Sequence, residues 1–242
     1  METALGVVSD DHPGTPDSVW RPWRTALPEL ERAHWRRVVA VAPHPDDEVL
    51  GIGGLLHRLR RGGVSVTVLA VTDGTGAGVL ADGQRDLAAV RRHESFLACA
   101  ELGLAEPIPL GLVDTAVADE ESRLVEELER FLTEGDICLA SWRGDGHADH
   151  EASGRAAAAA CARTGARLVE YPVWMWHWAR PDDPRVPVSR ARRVNLSPAL
   201  QERKRRAVQH FASQLTVPPG GSAVITQSVL ARLLGSEEVV LT

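Results

Sequence analysis

Long apolar runs are lacking in this sequence of 242 residues. No window holds about 18 uninterrupted apolar residues, the length that a membrane-spanning helix requires. The segment from Met1 to Asp11 has no basic flank followed by an apolar core, so it does not resemble a signal peptide. We therefore expect no membrane partner and a cytoplasmic protein.

A basic excess is lacking as well. Lys and Arg number 27 and Asp and Glu number 33, so the formal net charge is −6. Binding to a phosphate backbone needs clustered positive charge, and nucleic acid is therefore not an expected partner. Apolar residues make up 44% of the chain and charged residues 25%, a balance that excludes disordered and fibrous proteins. The length fits one large α/β domain or two small ones.

Cysteine, tyrosine and phenylalanine are scarce, whereas tryptophan is not. The three cysteines lie in apolar segments, which indicates reduced, buried thiols. Seven tryptophans stand beside one tyrosine and three phenylalanines. Trp174, Trp176 and Trp178 alternate with Met175 and His177, which predicts an extended segment with its indoles on one face. Such a face can stack on a sugar ring or pack in the core, and core packing is the commoner outcome.

Apolar runs alternate with helical segments through most of the chain, a pattern typical of a parallel sheet with helices on both faces. We predict a Rossmann-like α/β fold, with residues 1–36 as an N-terminal arm and short helix and residues 37–242 as a single domain. The predicted strands are Val38–Pro43, Val64–Val71, Ile108–Leu110, Ile137–Ser141, Arg167–Tyr171 and Arg192–Leu196. The predicted helices are Pro28–Trp35, Val49–Arg61, Gln84–Leu102, Asp119–Glu134, His150–Arg163 and Pro198–Leu215.

Two polar loops follow predicted strands directly. HPDDE, at His44 to Glu48, follows the first strand, and GHADH, at Gly146 to His150, comes after Ile137–Ser141. In an open parallel sheet, ligands bind at the carboxyl ends of the strands. We therefore expect both loops to contribute to one site at that edge.

These loops contain the donors that a catalytic metal site needs. Zn²⁺ in such sites has three protein ligands from His and carboxylates and keeps one position open. His44, Asp47 and His150 supply that set, and Fe²⁺ suits the same donors. The dipole of the helix that begins near His150 disfavours its charged form, and ligation needs the neutral imidazole.

The remaining polar residues of the loops suit amide or ester hydrolysis. Asp46, beside a ligand, could take a proton from a water that the metal activates. A protonated His147 could stabilise the oxyanion and then protonate a leaving amine. Asp149 could hydrogen-bond His147 and raise its pKa. Together these roles predict metal-assisted hydrolysis.

The sequence PHPDDEVLG at Pro43 to Gly51, taken with GHADH, resembles the PIG-L/LmbE-like family of metal-dependent N-acetylglucosaminyl deacetylases. The resemblance implies a zinc-dependent hydrolase that removes the acetyl group from a small-molecule amino sugar. It implies the same ligands, Asp46 as the base, and His147 with Asp149 as the oxyanion and acid pair.

The resemblance also implies substrate contacts. Arg91, in the pattern RRHE, matches a substrate-contacting arginine, although Arg92 competes for that role. Asp114 matches a residue that binds sugar hydroxyls, and Asp145 stands where the mycothiol branch has a mobile tyrosine, which argues against that branch. The residues expected to contact substrate are Arg91, Asp114, Asp145, Trp176, His210 and Gln214.

Other functions remain open at this point. An amidase that acts on another N-acyl or thiol-conjugate substrate would share every one of these residues, and a non-catalytic, metal-dependent sugar-binding module would not need Asp46 or His147. Dinucleotide binding at Gly51, Gly53 and Gly54 is disfavoured, because the carboxylates before them would repel a pyrophosphate. These glycines are better explained by close packing of the first helix on the sheet. The sequence leaves a homo-oligomer open.

Overall fold

Seven strands form one sheet within residues 14–32, 34–76, 86–217 and 223–242, the part of the chain that the computed structural model describes. The strands are β1 (Arg37–Ala42), β2 (Ser65–Thr72), β3 (Ile108–Leu112), β4 (Ile137–Ser141), β5 (Arg167–Tyr171), β6 (Ala191–Asn195) and β7 (Glu237–Leu241). Their order in the sheet is β3-β2-β1-β4-β5-β7-β6. The first five strands run parallel, and β7 is antiparallel to both of its neighbours. The predicted α/β fold with a mostly parallel sheet is confirmed.

Helices cover both faces of the sheet. They are α1 (Asp17–Ala26), α2 (Asp47–Arg61), α3 (Leu87–Glu101), α4 (Glu121–Glu129), α5 (Ala148–Thr164), α6 (Met175–Trp178), α7 (Pro198–Gln209), α8 (Ala212–Leu215) and α9 (Gln227–Leu233). Short 3₁₀ turns occupy Val117–Glu120 and Val188–Arg190. Within the described ranges, no helix is both long enough and apolar enough to cross a bilayer.

The side chains of β1 alternate between two separate cores. Val38 and Ala40 pack on one face, and Val39 and Val41 pack on the other. A strand buried on both faces reads as a continuous apolar run, which is why this strand could be predicted. Helix α2 packs closely on the sheet at Gly51, as predicted, because a Cβ there would lie 2.5 Å from the ring of Tyr171.

Strands β1 and β4 are neighbours, and this adjacency positions the site. Their pairing aligns Val38 with Ile137 and Val41 with Ala140, so both strands end at the same edge. The HPDDE loop leaves β1 toward α2, and the GHADH loop leaves β4 toward α5. As predicted, both polar loops therefore lie at the carboxyl edge of one sheet.

The predicted helix Pro28–Trp35 is wrong. The helix near this end of the chain is α1 (Asp17–Ala26), and the backbone after it pairs with β6 instead. Leu30 N–H donates to Arg193 O, and Arg193 N–H donates to Pro28 O. These long-range hydrogen bonds compete successfully with a short helix, whose own backbone bonds would be few.

The predicted extended segment through the tryptophan cluster is also wrong, because Met175–Trp178 forms the short helix α6. The Asp145 carboxylate accepts the backbone N–H groups of Val173, Trp174 and Met175 and so caps this turn. Two further elements, α9 and β7, have no counterpart among the predictions. Residues 1–13 of the predicted N-terminal arm lie outside the described residues. The glycine-rich sequence from Asp73 to Gly83 predicts a loop, and its residues 77–83 lie outside them as well.

Candidate metal centre and active site

Three donor atoms from the two loops lie close together. His44 Nδ1 is 3.2 Å from Asp47 Oδ2, and His150 Nε2 is 3.2 Å from the same oxygen. The two ring nitrogens are 3.3 Å apart. These are the three residues that the sequence singled out as ligands, although they come from two loops about a hundred residues apart.

The spacing of these donors fits a tetrahedral divalent ion. Ligand atoms about 2.0–2.1 Å from such an ion lie roughly 3.3 Å from one another along the edges of the tetrahedron. Two neutral imidazoles and one carboxylate are also the donor chemistry that a catalytic Zn²⁺ or Fe²⁺ site uses. His147 offers a further nitrogen, since one nitrogen from each of His44, His147 and His150 falls within 4.8 Å of the others.

Carboxylates orient the far side of the His44 ring. Its Nε2 lies 3.1 Å from Asp114 Oδ1 and 3.2 Å from Asp149 Oδ2. Burial opposes a charged His44, but the carboxylates of Asp114, Asp149 and Asp47 outweigh it and raise its pKa well above the usual range. A proton on Nε2 leaves Nδ1 free to ligate, as in carboxylate–histidine–metal arrangements.

The Asp145 carboxylate orients the His150 ring in the way that Asp114 and Asp149 orient His44. Its Oδ2 lies 2.8 Å from His150 Nδ1, and both side chains are fully buried. Burial opposes a charged His150, yet Asp47 and Asp145 outweigh it and raise the pKa of the ring to about 9. The prediction that Asp145 contacts substrate is therefore corrected, since its oxygens are taken up by His150 and by the backbone that starts α6.

Asp149 also differs from its predicted role. Its carboxylate accepts the N–H groups of Thr115 (2.7 Å) and Val117 (3.2 Å) and contacts His44 rather than His147. Only the backbone N–H of Asp149 reaches His147, at Nδ1. The segment after β3 and the HPDDE loop are thus joined through one buried carboxylate.

The surroundings of His147 favour its neutral form. Burial, reinforced by the nearby rings of His150 and His44, lowers its pKa to about 3. Because its Nδ1 accepts the Asp149 N–H (3.3 Å), the neutral ring has its hydrogen on Nε2. The Asp149 carboxylate, which we predict as the partner of His147, contacts His44 instead, and the protonated His147 stays a prediction.

Asp46 has a strained backbone and a buried side chain. Its φ is 141°, a region that residues other than glycine rarely adopt. Burial and the neighbouring Asp47 raise its pKa well above the usual range. Glu48 Oε2 accepts the Asp46 N–H at 3.3 Å, and burial raises the Glu48 pKa to about 7. Strain of this kind is often found at functional sites.

A cavity opens above these residues and contains about 770 Å³ of space free of protein atoms, part of it open to solvent. His44, Asp46, Asp47 and His147 line its floor. Among the predicted substrate contacts, those that also line it are Arg91, Asp114 and Gln214.

Two side chains predicted to contact substrate lie elsewhere. Trp176 is 4% exposed and packs edge-on against Trp20 and Trp23 of α1, with its N–H bonded to Pro172 O, so it belongs to the core. His210 ends α7 and does not line the cavity. Trp174, from the tryptophan face that the sequence offers as a sugar platform, does line the cavity. Sequence reasoning missed the apolar lining contributed by Ile225, Val229 and Leu233, because nothing in the local sequence marks α9 as a cavity wall.

The region that contains both loops is similar to known proteins. The family described as PIG-L: GlcNAc-PI de-N-acetylase matches residues 39–161, just over half of the chain. The chain belongs to the PIG-L family. This is a family of deacetylases, and the described part of this PIG-L chain contains a candidate His/Asp metal site.

Relatives of this PIG-L chain act on different amino sugars. It is 29% identical, over 49% of its length, to the probable N-acetyl-alpha-D-glucosaminyl L-malate deacetylase 2 of Bacillus subtilis, and it spans 58% of that protein. It is 30% identical, over 53% of its length, to the 2'-N-acetylparomamine deacetylase of Streptomyces fradiae and spans 52% of that protein. The PIG-L chain thus spans little more than half the length of these curated relatives.

A solved structure matches more of the fold. The conserved protein TT1542 from Thermus thermophilus superposes on 85% of this chain and 93% of its own, with a TM-score of 0.62 and 27% identity. The sheet and its flanking helices therefore form an architecture that is already known from a solved structure.

Proposed function

We propose that this chain hydrolyses the N-acetyl group of a GlcNAc-type amino sugar with the help of a divalent ion. The observation that supports the proposal is the triangle of donor atoms from His44, Asp47 and His150, with sides of 3.2–3.3 Å. Membership of a deacetylase family and the cavity above this triangle agree with it.

His44, Asp47 and His150 would hold the ion, and its chemistry is to lower the pKa of a water molecule and to polarise an amide carbonyl. Asp46 lies in the same cavity wall, next to a ligand. Its raised pKa makes it a stronger base than an ordinary carboxylate, so it suits removal of a proton from the attacking water.

His147 would act as a hydrogen-bond donor. As water attacks, the carbonyl oxygen gains negative charge, and the Nε2–H of the neutral ring can stabilise it. The lowered pKa of His147 favours its neutral form, and Asp46, once protonated by the attacking water, could then return that proton to the leaving amine. One C–O bond forms and the C–N bond breaks, which yields acetate and the free amino sugar.

Polar side chains on the cavity wall suit the sugar itself. Arg91 and Gln214 are buried donors, and Asp114 is a buried acceptor. Arg91 donates to Gly74 O and Gln214 donates to Pro45 O, so both side chains are held in place beside the HPDDE loop. Ordered groups of this kind can bind sugar hydroxyls without losing much further conformational freedom.

The decisive experiment replaces the proposed base and measures metal and activity separately. Asp46→Asn should keep its metal content and lose acetate release from N-acetyl amino sugars by at least about 10²-fold. His44→Ala should lose the metal itself. If Asp46→Asn kept the wild-type rate, the assigned base would be wrong, and full metal occupancy in His44→Ala would remove that residue from the ligand set.

Three finer points belong to the same proposal. We propose Zn²⁺ as the resident ion, with Fe²⁺ as the alternative, and metal analysis after anaerobic purification distinguishes them. A cytoplasmic location and a single domain over residues 37–242 remain predictions. Helix α1 packs on residues of the predicted domain, because Trp20 Nε1–H donates to Trp176 O. A truncation that tests the domain boundary would therefore remove this contact.

A further inference from the structure

The cavity above the donor triangle has two chemically different halves. The polar half contains Arg91 and Asp114, and Asp114 contacts His44. The apolar half is formed by Val173, Trp174 and the α9 side chains Val229 and Leu233. Helix α9, which contributes to this wall, lies beyond the stretch that the family match covers.

The polar and the apolar lining residues approach the donor triangle through different histidine rings. Asp114 reaches it through His44, at 3.1 Å. Trp174 reaches it through His147, with ring centroids 5.7 Å apart, and the His44 and His147 rings are themselves in edge contact at 4.9 Å. A carbonyl held at this triangle therefore has polar groups toward His44 and apolar groups toward His147.

A secondary amide fits the polar and apolar halves of the cavity in one orientation. Its C–N bond is planar and trans, so the acyl chain and the amine substituent leave the amide in opposite directions. Sugar hydroxyls need polar partners, and burying them against Val229 and Leu233 would leave them unsatisfied. The sugar consequently suits the polar half, and the acyl chain suits the apolar half.

We propose that the apolar half is an acyl-chain subsite and that this chain hydrolyses N-acyl amino sugars whose acyl group is longer than acetyl. The inference rests on the proposed amide hydrolysis and extends it to the substrate class. Water again adds to the carbonyl carbon and the C–N bond breaks, which yields a short-chain carboxylate and the free amine.

A polar pair adjoins the apolar residues of the cavity. The His177 ring, with its centroid 6.1 Å from that of Trp174, also lines the cavity, and Arg232 Nη2 lies 3.1 Å from His177 Nδ1. Arg232 is 4% exposed and also contacts Thr15 O. A growing alkyl chain that reached this pair would have to be buried against charge, so the preference for chain length should rise and then fall.

The test measures kcat/KM for glucosamine with N-acetyl, N-butanoyl, N-hexanoyl and N-dodecanoyl groups, by release of the free amine. The hexanoyl compound should exceed the acetyl compound by about tenfold or more, and the dodecanoyl compound should fall below the hexanoyl one. Val229→Phe, which fills the apolar half, should lower the hexanoyl-to-acetyl ratio about tenfold. Leu230→Phe is the matched control, because Leu230 lies on the same helix but does not line the cavity, and it should leave the ratio unchanged.

The outcomes separate this inference from the proposed function. No amine release from any of the four compounds would count against amide hydrolysis itself. Release from the acetyl compound alone, or a ratio that Val229→Phe does not change in a folded protein, would overturn the acyl subsite. An apolar aglycone could occupy the same wall, and a parallel comparison of methyl and octyl N-acetylglucosaminides tests for it. A higher kcat/KM for the octyl glycoside, with no increase for longer acyl groups, would assign the wall to an aglycone and refute the proposal.

Discussion

Lys204 Nζ lies 2.7 Å from Glu238 Oε1, and both side chains are only 1% exposed. Glu238 also accepts the N–H groups of Gly54 and Leu55, and Lys204 donates to Leu50 O, each at 2.7 Å. These backbone groups flank Ile52, where φ of −140° and ψ of 17° break helix α2. The ion pair thus provides partners for groups that a continuous helix would satisfy internally. Since α2 begins at Asp47, residues of α7 and β7 support the helix that presents a proposed metal ligand.

Removing either charge of this pair should be strongly destabilising. Lys204→Met and Glu238→Gln should each lower the free energy of unfolding by about 3–5 kcal/mol, because each leaves an uncompensated buried charge or buried backbone groups. The double variant should lose less than the two single losses combined. Urea unfolding measures all three. The exposed pair Arg205 and Glu202 is the control, and its removal should cost below about 1 kcal/mol.

Asp145 should affect metal binding without touching the metal. Asp145→Asn removes the charge that orients His150, and metal affinity should fall by about 10–100-fold in competition with a chromophoric chelator. Asp183→Asn, which alters a surface pair with Arg185, should leave the affinity as in the wild type. Wild-type affinity in a folded Asp145→Asn protein would show that His150 needs no carboxylate partner.

The backbone strain at Asp46 predicts an order of stability between two inactive variants. Asp46→Gly and Asp46→Ala both lose the proposed base, but only glycine adopts a φ of 141° without steric cost. The glycine variant should therefore be more stable than the alanine variant by about 1–3 kcal/mol in urea unfolding. Equal stability would mean that the loop relaxes when the side chain is removed.

Glu170 on β5 should contribute to acid sensitivity. Burial opposes its charged form, but ion pairs with Arg143 and Arg190 outweigh burial and lower its pKa below the ordinary 4.5. Because the folded pKa lies below the unfolded one, the stabilisation is complete above about pH 4.5 and is lost as pH falls through the folded value. Glu170→Gln should reduce the loss of stability in this acid range, as measured by thermal unfolding at a series of pH values. An unchanged acid dependence would contradict the assignment.

Local pattern was enough for much of the fold and for the donor residues that the structure brings together. The apolar run at β1 is continuous because the strand is buried on both faces, and the HPDDE and GHADH loops follow strands that end at one edge. The role of Gly51 could also be predicted, because the first helix after a parallel strand packs closely on the sheet. These features depend on neighbours in sequence or on general rules for parallel sheets.

Other features depend on contacts between distant segments. Asp149 turns to His44, 105 residues away, because the amides of Thr115 and Val117 hold its carboxylate there. The segment around Trp176 looks extended in sequence, yet the distant Asp145 carboxylate caps it into a helix and α1 covers its indole.

The sequence by itself determined which donors stand at the ends of which strands, and those donors suit a divalent ion. Only the tertiary structure decided which carboxylate orients which histidine, which tryptophan faces the cavity, and how α9 makes half of that cavity apolar. The physical reason is that donor identity is a local property of the chain. Orientation and burial arise from hydrogen bonds and packing between segments that the sequence separates.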